Sequence, residues 1–156
     1  METKAGVLVV NGLPVVQAQF CWSVGNQMQS FLKALAQKKF LASKCPECGY
    51  VYAPPRNTCH KCGKKMGEKD LVELSGEGVL LGWTVAHVEL DGKGNFVDLK
   101  KPKIIGAIRL DGANSTVFMP LEAEAGELKP GMKMALKWNS ETKGGWKDIS
   151  CFKPAG

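Results

Sequence analysis

Two Cys-x-x-Cys pairs, ten residues apart in the stretch from Cys45 to Cys62 (CPECGYVYAPPRNTCHKC), constrain this chain more than any other feature. Each pair can set two sulfurs on adjacent vertices of a tetrahedron, and two pairs close all four positions around one ion. Gly49 and Gly63, each directly after the second cysteine of its pair, suit the tight turn in which backbone N–H groups approach the sulfurs. Cys45, Cys48, Cys59 and Cys62 are therefore the expected ligands of one structural zinc per chain. Four thiolates also accommodate iron, but the ten-residue gap is much shorter than a rubredoxin needs. A closed four-sulfur site offers no vacant position to water or substrate, so its metal holds the chain in shape rather than acting as a Lewis acid. At about 10–16 kcal/mol, a structural zinc can order a segment too small for a core of its own.

No apolar run approaches the ~20 residues needed to span a bilayer. The opening METKAGVLVVNGLPVV has a short apolar run broken by Asn11-Gly12, includes Glu2 and precedes no Ala-x-Ala site. It does not read as a signal peptide. Without export, paired cysteines read as metal ligands rather than disulfides, and a cytoplasmic location is expected. The formal charge of +6 falls to about +4 once four thiolates and one Zn²⁺ add −2. That mild excess suits phosphorylated small molecules or an acidic protein as well as nucleic acid.

The pattern along the chain predicts a mainly β protein. Residues 7–16 (VLVVNGLPVV) place two β-branched runs around Asn11-Gly12, a hairpin signal, within an arm over 1–25. Met28, Phe31, Leu32 and Leu35 then recur at helical spacing, with Gln27, Gln29, Lys33 and Gln37 on the other face. A helix is expected over 26–41, ending near Lys38-Lys39, where cations suit the dipole. The ribbon follows over 42–68. Beyond it, 78–90, 104–110, 115–121, 132–138 and 146–152 read as five short strands with no long helix between them. That predicts a five-stranded Greek-key barrel of the OB type over 69–156, with an SH3-like barrel or small sandwich as alternatives. Gly82 inside the first strand fits the coiling a small barrel needs, and Asp111–Asn114 reads as a hairpin loop.

Candidate catalytic groups are few. Cys21 and Cys151 have apolar neighbours and read as packed thiols. His60 lies between ligands and reads as an exposed or supporting histidine, and His87 has no recognisable partner in its strand. No Gly-x-Ser-x-Gly, phosphate loop or His-Glu-x-x-His occurs. No catalytic residue is assigned, and the chain is not expected to be an enzyme by itself. The best binding candidate is the segment 91–103, where Lys93, Lys100, Lys101 and Lys103 surround Phe96 and could grip a phosphate and an apolar group together. Pro54-Pro55 should present Arg56 rigidly.

The order of parts adds a further reading. A helix leading into FLASKC, the paired knuckles with YAPPR between them, Ser75-Gly-Glu-Gly78 before Trp83-Thr84, Pro102 to Gly112 (PKIIGAIRLDG) and Leu128 to Met132 (LKPGM) follow in sequence. This resembles the zinc-ribbon/OB-fold family of acyl-CoA-associated proteins encoded beside thiolases. The resemblance implies a non-catalytic subunit that binds a thiolase-fold catalytic partner in a hetero-oligomer and helps shape its acyl-CoA site. A coenzyme A thioester would then sit at the partner interface. Arg56, Phe96, Lys100, Lys101 and Lys103 are the residues expected at a ligand or partner. The alternative from the residues is a single-stranded nucleic-acid module, since ribbons and OB barrels both bind single strands. The two tyrosines both lie in the ribbon, which leaves that reading short of stacking platforms.

Overall fold

The computed structural model describes residues 23–91 and 94–155 in full, with the backbone of 2–4 and 7–9. Strands β1 (Glu2–Lys4) and β2 (Val7–Val9) pair antiparallel, Lys4 opposite Val7. The described pairing thus lies earlier than the hairpin expected around Asn11-Gly12; that turn, Pro14 and Cys21 fall outside the described residues.

Helix α1 runs Asn26–Ala36, shorter than expected. Lys38 adopts a left-handed φ of 57°, and Lys39 N donates to Ala34 O. The chain therefore reverses at once into β3 (Phe40–Lys44). Gln27, placed on the outer face by periodicity, is buried with Phe31, Ala34 and Leu35. Its Nε2 donates to Gly67 O at 2.9 Å, while its Oε1 is buried without a hydrogen-bond partner among the described residues. At the other end Thr142 Oγ1 donates to Ala36 O at 2.8 Å.

β3 is the centre of a small sheet between β4 (Val51–Tyr52) and β5 (Leu71–Leu74), all antiparallel. β5 is a strand that the alternation in the sequence did not reveal, because only four residues carry it. The remaining strands, β6 (Glu77–Leu90), β7 (Phe96–Leu110), β8 (Val117–Leu121), β9 (Lys133–Trp138) and β10 (Ile149–Pro154), close a barrel. The order β6–β7–β8–β10–β9 returning to β6, with β8 and β10 parallel at Phe152 and Leu121, is the OB arrangement. The barrel reading holds, and the SH3-like and sandwich alternatives fall.

Two strand boundaries differ from expectation. Trp146–Asp148 is a 3-10 turn rather than strand, because Asp148 accepts the N–H groups of Lys143, Gly144 and Gly145 and curls the segment. The segment 91–103 is mostly strand: from Phe96 onward it belongs to β7. Cross-strand partners outside the barrel, with Leu90 opposite Phe96 and Glu89 opposite Val97, extend the ladder past the lysine-rich region that suggested a loop.

One hydrophobic core joins these parts. Phe31 and Leu35 of α1, Phe40 and Ala42 of β3, and Val51 of β4 belong to the same buried cluster as Leu80, Ile108, Met134 and Phe152 of the barrel. Phe31 packs edge-on against Phe40 with ring centres 5.2 Å apart and also meets Trp146 at 5.2 Å. Where strands cross closely, only glycine fits: a Cβ on Gly78 would lie 2.5 Å from Arg109 O.

Candidate metal centre and its surroundings

β3 delivers Cys45 at its end, and β4 starts two residues after Gly49. Cys45 N donates across this turn to Tyr50 O at 2.8 Å, and Gly49 N donates to Cys45 O at 2.9 Å. The second knuckle repeats the pattern: Cys59 N donates to Lys64 O and Gly63 N to Cys59 O, at 2.9 and 3.0 Å. Gly49 and Gly63 both hold a left-handed φ, 72° and 71°, as two equivalent turns require.

The four sulfurs lie within 4.8 Å of one another. Cys45 Sγ is 3.6 Å from Cys62 Sγ, and Cys48 Sγ is 3.5 Å from Cys59 Sγ. A tetrahedron with Zn–S of about 2.3 Å has sulfurs about 3.8 Å apart. Donor set and spacing fit zinc, so the four cysteines form the metal-binding site of the ribbon. Cys45 and Cys59 are buried while Cys48 and Cys62 are exposed. Among the described residues no other group of His, Cys, Asp or Glu gathers as a metal site.

Tyr52 ties this centre to the neighbouring chain. Its buried hydroxyl lies 3.2 Å from Cys59 Sγ and 2.6 Å from His60 Nδ1, and accepts the His60 backbone N–H at 3.0 Å. The Tyr52 hydrogen bond pulls the Cys59 thiol down to about 6, against burial and with help from the backbone N–H groups of Cys62 and Lys61. Cys59 is thereby prepared as a thiolate. Nothing in the periodicity signals Tyr52's role; its position in Tyr50-Val-Tyr52, between the knuckles, is the only clue.

A second missed pair fastens the ribbon to the barrel. Asn114 N donates to Val51 O at 3.0 Å, and Asn114 Oδ1 accepts from Val51 N at 2.9 Å. Ser115 Oγ accepts from Ala53 N at 2.7 Å and donates to Ala53 O at 3.1 Å. The turn after β7 therefore completes the hydrogen bonding of the segment that begins with β4, as another strand would.

The binding candidates do not form one site. The Arg56 guanidinium sits 5.8 Å from the centre of the Tyr52 ring, and its backbone N donates to the buried Ser43 Oγ at 2.9 Å. Phe96 stands 76% exposed at the end of the β6–β7 hairpin. Lys100 and Lys101 fall in a bulge, between the pairs Ala86–Lys103 and Val88–Asp98, where Pro102 cannot donate to a ladder. Lys103 pairs with Glu89 at 2.5 Å. Lys93 lies outside the described residues. Lys101 and Lys103 do share a cavity of about 770 Å³ with Ile104, Pro120, Glu122 and Cys151. Cys151 Sγ donates to Glu122 Oε2 at 3.3 Å; burial pushes this thiol up, and the hydrogen bond to Glu122 adds to the shift. His87 is exposed on β6 at the bulge, and His60 is exposed but bonded to Tyr52.

Residues 32–66 match the rubredoxin-like zinc ribbon domain of ChsH2, and residues 71–139 match the C-terminal OB-fold domain of ChsH2. The chain belongs to the zinc-ribbon/OB-fold DUF35 family. A DUF35-family protein of unknown function from Sulfolobus solfataricus superposes with a TM-score of 0.61 at 25% identity, over 84% of this chain and 87% of that one. A second DUF35 structure, the Ltp2-ChsH2(DUF35) aldolase, shares the fold with a TM-score of 0.59 at 20% identity, over 85% of this chain and 98% of that one. A DUF35 domain-containing scaffold protein of Methanocaldococcus jannaschii is 42% identical over 45 residues, 29% of this chain and 31% of that protein. The match thus spans about a third of that relative's length.

Proposed function

We propose that this chain is a non-catalytic accessory subunit of a thiolase-type complex acting on acyl-CoA thioesters. The catalytic partner supplies the nucleophile and the acid–base groups, and the ribbon, stapled by zinc at Cys45, Cys48, Cys59 and Cys62, holds this subunit's shape. The observation that carries the reading is the closed four-sulfur centre, which has no vacant coordination position for a substrate. The remaining described groups support it. Cys151 is held as a thiol beside Glu122, and His60 is engaged by Tyr52. The relatives point the same way in their descriptions: one is a scaffold protein, and another stands with Ltp2 in an aldolase. Among the described residues no helix is long and apolar enough to cross a membrane, and a cytoplasmic location is part of the proposal.

At its finest the reading takes the complex as the benzoylsuccinyl-CoA thiolase of anaerobic toluene breakdown, which cleaves its substrate with coenzyme A to benzoyl-CoA and succinyl-CoA. Co-expression with a thiolase-fold chain, followed by assay of the separate chains and the pair, tests both levels. Thiolysis is expected from the pair and none from this chain alone. Full activity of the isolated chain, or no complex at all, would overturn the proposal, while a complex active on other acyl-CoA thioesters would overturn only the choice of substrate.

One observation favours a second reading as a single-strand binder: Phe118 on β8 is 72% exposed and could stack a base. It predicts tight, salt-sensitive binding of single-stranded oligonucleotides that Phe118→Ala weakens. Undetectable binding at low salt rejects it.

A further inference from the structure

Strands β7 and β8 separate at a defined point. Their ladder runs from Ile108 opposite Val117 to Ile104 opposite Leu121 and ends there. Continued in the same register, Pro102 would face Ala123, and a proline has no N–H to give to a ladder. Glu122 N donates instead to Phe152 O at 2.8 Å, which draws the chain leaving β8 onto β10. A cavity of about 770 Å³ is lined by the two segments that part here, a size within the range of small-molecule sites.

Much of the lining is apolar: Val85, Ile104, Pro120, Leu121 and Ala123 contribute to it, together with Cys151. The charged groups divide by strand. β7 brings Lys101 and Lys103, and the chain leaving β8 brings Glu122, Glu124 and Glu127. The register of the ladder would have set Lys103 against Glu122 and Lys101 against Glu124, two complementary cross-strand pairs. With the strands apart, one couple finds other partners: Lys103 pairs with Glu89, and Glu122 pairs with Lys137 and accepts from Cys151 Sγ. The side chains of Lys101, Glu124 and Glu127 make no ion pair or hydrogen bond among the described residues. Glu127 N donates to Glu124 O, so the two glutamates share one turn. A cation and its natural complement thus line the same partly apolar cavity without meeting.

That arrangement selects a ligand by charge. A purely apolar guest would take water from both charged groups and return nothing. A guest with one kind of charge would meet its own sign across the cavity. A molecule with both signs at its two ends answers both groups, and a short hydrocarbon between them gives up water against Ile104 and Pro120. We propose that this cavity binds a small linear zwitterion, with its carboxylate on Lys101, its ammonium on Glu124 and Glu127, and its apolar body along Ile104 and Pro120. The proposal is independent of the accessory-subunit reading, since every group in it belongs to this chain.

The test titrates the full zinc-loaded chain with ω-aminooctanoate, and with octanoate and octylamine as probes that keep one charge each. Methyl NMR at Val85, Ile104 and Leu121 locates binding and gives the affinities. The zwitterion is expected to shift these methyls with a Kd on the order of 1 mM, and each single-charge probe to bind roughly fivefold more weakly or worse. Lys101→Gln should reduce the zwitterion to the level of octylamine and leave octylamine unchanged. The double variant Glu124→Gln, Glu127→Gln should reduce it to the level of octanoate. All three positions are exposed, and melting temperature and zinc content verify folding of the variants. Equal binding of the three probes, wild-type binding by either variant, or no shift of these methyls at concentrations well above the expected Kd overturns the proposal. Octylamine binding as tightly as the zwitterion would make this a site for cations and remove the role given to Lys101.

Discussion

The Tyr52 hydroxyl lies 3.2 Å from the Cys59 sulfur, so the most buried part of the metal centre is bonded to a residue that is not a ligand. The same oxygen accepts the His60 N–H, which fixes the direction of the chain as it leaves Cys59. Tyr52→Phe keeps the ring tilted against Tyr50 and removes only this oxygen. A hydrogen bond worth about 1 kcal/mol corresponds to roughly fivefold, so zinc transfer to a chelator should speed up by about that factor. Unchanged transfer kinetics with a colorimetric chelator would count against the role.

Asp148 supplies a pH dependence. Its carboxylate is buried and held below the usual aspartate range by the backbone N–H of Lys143 first, with burial opposing and Gly145 and Gly144 adding. A depressed carboxylate stabilises the fold fully above its unfolded value of about 3.9 and loses that contribution as pH falls through the lower folded value. Asp148→Asn should lower the melting temperature at pH 7, on the order of 5 °C, and flatten its fall in the acid range. Equal acid dependence in the two proteins, by thermal scans from pH 7 to 2, would reject this assignment.

Asn114 and Ser115 join the ribbon to the barrel through four hydrogen bonds to Val51 and Ala53. The double variant Asn114→Ala, Ser115→Ala should cost about 1–3 kcal/mol, since it leaves backbone groups of the buried segment Val51–Ala53 short of partners. Amide exchange at Val51 and Ala53 should rise more than at barrel amides such as Leu80. A uniform rise across the chain would mean that the contact is not a local clamp.

Gly78 marks the tightest backbone crossing in the barrel. A methyl group there would meet Arg109 O at 2.5 Å and Leu110 Cα at 2.9 Å, and backbone cannot swing aside as a side chain does. Gly78→Ala is expected to destabilise by about 1–3 kcal/mol, whereas Gly82→Ala, with nothing within 4 Å, should change little on that account. Urea denaturation of the pair checks the contrast; equal losses would refute it.

The legible features were those written in local spacing. The knuckles could be read because a four-sulfur site needs two short turns and little else. The barrel strands could be read because one face of each alternates toward a core, as from Met134 to Trp138. Gln27 was misplaced because periodicity ranks residues by apolarity and cannot foresee the carbonyl of Gly67 forty residues on. The hairpin beyond Lys103 read as a loop because its lysines and glycines resemble solvated sequence, while its pairing depends on a partner strand.

The sequence by itself determined the metal centre, the mainly β class and the order of parts, because each depends on residues within a turn or a strand of one another. Only the tertiary structure decided how those parts are joined. The Asn114 clamp spans 63 positions from Val51, and the shared core places Phe31 with Phe152. The exposed tip exists because β8 and β9 stop short of it. Hydrogen-bond partners and shared burial at such separations are properties of the closed chain, set by which surfaces meet when the barrel forms, and no local pattern encodes them.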